Sequence, residues 1–105
     1  MRIFLDQGVP DPLRRHLTGH AADTAFERGW SHLKNGALLD AAEQDGYEVM
    51  ITTDQNLRYQ QNLRGRRLAV LVLLSTSWPR IQPRTGEIRD AVNGIDPGSL
   101  TEVPI

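Results

Sequence analysis

The sequence contains no cysteine. That excludes a disulfide framework, a thiol nucleophile and any thiolate metal site. Net charge is also close to absent: 12 basic against 13 acidic residues give −1 at pH 7. Bulk charge therefore does not draw the chain to nucleic acid, and affinity for RNA or DNA has to come from a local basic patch. No apolar stretch approaches the ~18 residues of a membrane span. The longest, Leu68 to Leu74, suits a central strand. The start Met1-Arg2-Ile3-Phe4-Leu5-Asp6 reaches a charge too soon for a signal peptide. The expectation is a cytoplasmic protein with no membrane contact. There is no internal repeat and no low-complexity segment. A length of 105 residues fits one domain, residues 1–105, with a single modest core.

Two aspartates stand out against this background, each placed just past a short apolar run. Asp6 follows Arg2-Ile3-Phe4-Leu5, and Asp54 follows Val49-Met50-Ile51-Thr52-Thr53. Both runs read as buried parallel strands. Ligands of open α/β sheets bind at the carboxyl ends of strands. Two carboxylates there can face one crevice, a geometry suited to magnesium or manganese, which prefer oxygen ligands.

The rest of the chain alternates strands with helices. A helix is expected after Pro10-Asp11-Pro12, with Leu13 and Leu17 on one face and Gly19 ending it. His20 to Phe26 reads as a second strand near a sheet edge, followed by a loop from Glu27 to Lys34. Asn35 is a good N-cap for a helix to Asp45, closed by Gly46. Asp54-Gln55-Asn56 opens a third helix carrying Leu57 and Leu63, and Leu68 to Leu74 is the fourth strand. Ser75 to Arg84 reads as a polar loop. A short helix at 85–92 and a strand at 100–105 complete the chain. This pattern predicts an α/β fold: a three-layer α/β/α sandwich with a mainly parallel central sheet.

The segments RIFLDQGVP, ERGWSHLKNGALLDAAEQDGYEVMITTDQNL and RRLAVLVL together resemble the small PIN-like proteins of the DUF5615 type. Those are similar to the toxin nucleases of VapBC-like toxin–antitoxin pairs and to the Mut7-C domain. The resemblance spans roughly residues 1–75. It implies a PIN-like fold and a metal-dependent endoribonuclease, the toxin half of a toxin–antitoxin module, using Mg2+ or Mn2+. RNA is then the substrate and a protein antitoxin encoded nearby the partner, with a homodimer as a further assembly to expect. Family members place acids at the first strand end, at the start of the middle helix and in a Thr-x-Asp element. Asp6 matches the first and Asp54 the last. The helix-start position falls on Asn35, and Ala37 stands where a further acid is common. Asparagine brings a carbonyl ligand but no negative charge, so magnesium is held more weakly. The alternative is a catalytically degenerate module that binds an antitoxin or RNA without cleavage.

The candidate catalytic residues are thus Asp6, Asp54 and Asn35, and the candidate metal ligands are these three with Glu27. Asp40 is less suited than Glu27, because five residues along a helix turn it roughly 140° from Asn35. Asp54 and Asn35 also read as plain helix caps. One of Thr52 and Thr53 should face the crevice, where its hydroxyl can bind phosphate or steady Asp54. Thr53, Asn56 and Arg58 are the candidate substrate contacts, with Tyr59 and Trp78 as faces for unpaired bases. His16, His20 and His32 form no zinc pattern. A phosphoacceptor receiver-like domain fits poorly: Gln7 stands where a second acid is wanted, and Lys34 is the only lysine.

Overall fold

The computed structural model describes residues 1–57 and 62–105; the side chain of Asn35 lies outside what it describes. Three apolar runs form the middle of the sheet: β1 (Arg2–Leu5), β3 (Val49–Thr52) and β4 (Ala69–Leu73). Two more polar strands, β2 (Ala21–Thr24) and β5 (Leu100–Val103), form its edges. The order is β2-β1-β3-β4-β5, and every pairing is parallel.

Side chains alternate across a strand, so each inner strand feeds two cores. Ile3, Leu5, Val49, Ile51, Leu71 and Leu73 face one side. There they meet Leu13 of the 3-10 helix Asp11–His16 and Ile88 and Val92 of α4 (Thr85–Gly94). Phe4, Met50, Val70 and Val72 face the other side and meet Leu38, Leu39 and Ala42 of α2 (Asn35–Gln44), with Leu57 and Leu63. The result is the expected three-layer α/β/α arrangement around a parallel sheet. Among the described residues, no helix is long and apolar enough to cross a membrane.

Several boundaries differ from the sequence reading. The second strand stops at Thr24, because Thr24 caps a short helix, α1 (Ala25–Arg28). Thr24 Oγ1 accepts from the Glu27 backbone N–H at 3.2 Å, and Glu27 Oε1 accepts from the Thr24 backbone N–H at 3.0 Å. This reciprocal capping box outcompetes strand extension. Gly29, in the left-handed region at φ 71°, ends the helix. Lys34 is the N-cap of α2, and Asn35 is its first helical residue. The segment expected to be a polar loop contains α3 (Trp78–Ile81) and a 3-10 turn Gln82–Arg84. Pro79 sits in the first turn of α3, where proline's missing N–H costs nothing. The last strand ends at Val103. The body of the helix expected after Asp54, with Arg58 and Tyr59, lies outside the described residues.

Candidate active site at the carboxyl edge of the sheet

The chain leaving β1 leads to the 3-10 helix on one face of the sheet. The chain leaving β3 turns to the other face, where Leu57 is buried. Neighbouring strands whose connections diverge in this way leave a crevice at their carboxyl ends. Asp6 and Asp54 both line that crevice, a cleft of about 330 Å³ shared with Gln7, Gly8, Ser31, Lys34 and Thr53. Met50, Leu38 and Leu57 form its apolar floor.

Register fixes the first acid. Leu5 pairs with Ile51, and the Asp6 backbone N–H continues the ladder to the Ile51 carbonyl at 2.9 Å. Asp6 therefore lies beside Thr52, the last residue of β3. Thr52 is fully buried, and its hydroxyl donates to Asp6 Oδ2 at 2.8 Å. Thr52 Oγ1 in turn accepts the Asp54 backbone N–H at 3.1 Å. One hydroxyl thus ties the two acidic segments together. Asp6 Oδ1 accepts the Gln7 N–H at 2.8 Å, and Asp54 Oδ1 accepts the Asn56 N–H at 3.0 Å. The second of these is a local turn bond of the kind aspartate favours. Both carboxylates are half-buried, oriented by backbone donors and open to the cleft.

Of the two threonines, Thr52 is the one that steadies the acids. Thr53, the expected substrate contact, lines the cleft itself, close against Gly8. Asn56 is exposed and serves as the backbone donor to Asp54.

Glu27 is not in this cleft. It lines a neighbouring groove that meets the cleft at Asp6 and Gln7. Its carboxylate is paired with Arg14, both contacts being 2.9 Å. The Arg14 hydrogen bond, and then the Thr24 N–H, hold its pKa below the usual carboxylate value. Asp40 is paired with Arg66 at 2.7 Å. Trp78, offered as a stacking face, is half-buried against the first core with its ring 5.6 Å from His16.

The chain matches no family model, no curated protein and no solved structure. The geometry of the cleft therefore carries the functional reading.

Lys34 is the residue the sequence reading passed over. In the sequence it stands out only as the one lysine, ill placed for a receiver-like domain, yet it lines the cleft with both acids. No spacing rule reveals this, because α1 and the loop after it carry Lys34 back to the carboxyl edge. The exposed ammonium brings a cation for an anionic group beside two carboxylates suited to a cation.

Among the described residues, no three His, Asp or Glu side chains are grouped to hold a metal ion. Magnesium, however, commonly takes one or two carboxylates and completes its shell with water and substrate phosphate. The donor set of Asp6 and Asp54 fits that mode, and it does not fit a site closed by protein ligands alone.

Proposed function

We propose that this chain is a PIN-like, Mg2+- or Mn2+-dependent endoribonuclease that cuts single-stranded RNA in the cytoplasm. In this reading it is the toxin of a toxin–antitoxin pair, held in check by a nearby-encoded antitoxin protein and able to form a homodimer. The observation that carries the reading is the joining of Asp6 and Asp54 through Thr52 at the crevice between β1 and β3. Asp6 and Asp54 would hold the metal, with Asn35 as a neutral ligand at the start of α2. When bound, such an ion polarises a phosphodiester and lowers the pKa of a water. Lys34 and Thr53 bind the non-bridging phosphate oxygens; Arg58, the other expected substrate contact, lies outside the described residues. Gln7 and Thr52 hold the Asp6 carboxylate in one orientation, so it needs no reordering when charge develops.

The test is manganese-dependent cleavage of a single-stranded RNA by the wild type and by Asp54→Asn. Cleavage by the wild type, with a loss of at least about a hundredfold in the variant, is expected for a residue holding an essential metal. Equal rates, or no cleavage by either, would refute the nuclease.

A second reading follows from the small number of acids in the cleft and from Lys34 among them. Here the cleft binds a phosphodiester without breaking it. Asn35→Asp then raises manganese affinity or creates cleavage; no change in either counts against this reading.

A further inference from the structure

The groove next to the cleft holds a side chain that the fold leaves out of its cores. Phe26 is 87% exposed, on a short helix that is anchored on either side of it. Ala25 is buried beneath it, Thr24 and Glu27 cap each other, and Arg14 clamps Glu27 from the 3-10 helix. The ring is therefore mounted outward on a rigid turn. It lines a groove of about 430 Å³ that shares Asp6 and Gln7 with the cleft.

The charge of the two spaces differs. The cleft sets Lys34 against Asp6 and Asp54, and the metal ion of the proposed reading would turn its charge positive. The groove sets Asp6, Asp11 and Glu27 against one cation, Arg14, which Glu27 already neutralises. A phosphate is repelled there, but an uncharged base is not. Gln7, Arg14 and Asp11 offer donors and acceptors to a base edge beside an exposed aromatic face. Single-stranded RNA is held in this way, its bases on aromatic rings and its phosphates on cations.

We infer that Phe26 is a base-stacking platform for single-stranded RNA. It receives the nucleobase next to the phosphate bound between Asp6, Asp54 and Lys34. The inference rests on the RNA reading above and adds where the neighbouring base goes.

The experiment is fluorescence anisotropy with a labelled single-stranded RNA of about eight nucleotides, an ordinary single-strand site size. Binding is read at short times with manganese, and again with EDTA. Wild type, Phe26→Ala and Phe26→Trp are compared, and sedimentation reports the assembly state of each. Phe26→Ala should weaken binding about tenfold, within the usual range for one stacked base, and Phe26→Trp should restore it. Both variants should stay folded, since the ring buries little. If the wild type binds RNA and Phe26→Ala binds equally well, the platform is wrong and the RNA reading stands. If Phe26→Ala changes only the assembly state, the ring is a protein contact and the inference is overturned. If the wild type binds no RNA in either buffer, the RNA reading fails and takes the inference with it.

Discussion

Thr52 Oγ1 makes two hydrogen bonds with different consequences: it donates to the Asp6 carboxylate and accepts from the Asp54 backbone. Thr52→Val keeps the shape and deletes both. The Asp54 N–H then lacks this acceptor and the Asp6 carboxylate loses a donor, at a cost of about 1–3 kcal/mol. Urea denaturation should show that loss, and calorimetry should show weaker manganese binding. A second residue-scale consequence concerns alkaline pH. Tyr47 is buried against Phe4 and Trp30, and its hydroxyl donates to Asp23 Oδ2 at 2.7 Å. Burial first, and then the Asp23 bond, push its pKa up from 10.0 to about 12. The unfolded chain therefore loses this proton first as pH rises. Tyr47's contribution to stability is whole below pH 10 and declines until about pH 12. Urea midpoints across that range should fall more steeply for the wild type than for Tyr47→Phe.

At the scale of elements, the turn after β1 and the end of β3 touch through Gly8. A Cβ there would run into Thr53 Oγ1, a stiff β-branched side chain with little room to yield. Gly8→Ala should cost about 1 kcal/mol or more by overpacking, and it should push Thr53 within the cleft. Urea unfolding and manganese titration of that variant would read both effects. The elements legible in the sequence are those that a single local pattern dictates. Uninterrupted apolar runs mark β1, β3 and β4, and Leu38, Leu39 and Ala42 mark α2. Where two local patterns compete, the reading slips. Thr24 suits a strand by its branching and a helix by its cap, and the reciprocal bond with Glu27 decides for the helix. Pro79 reads as a breaker, but in a first turn it starts α3.

At the scale of the whole molecule, the parallel sheet collects chemistry at its carboxyl edge. Asp6, Asp54, Thr53 and Lys34 meet there from three separate segments. A larger space of about 440 Å³ lies against Tyr47, Glu48 and Ala69, at the opposite end of the strands. It contains neither acid of the candidate pair. The two acids were legible because each directly follows an apolar run, and strand direction alone sends both to one edge. Lys34 and Phe26 were not legible, because their positions depend on the capped turn of α1 and the path after it. Glu27 lies outside the cleft for the same reason: its carboxylate closes that turn and pairs with Arg14 in the neighbouring groove. In the proposed nuclease Asp6 and Asp54 form one cation site. The most direct measurement is manganese calorimetry on the wild type and on Asp6→Asn/Asp54→Asn. Saturable binding by the wild type is expected to disappear in the double variant while the fold persists. Binding of equal strength by both proteins would contradict it, as would no binding by the wild type even with a single-stranded RNA present.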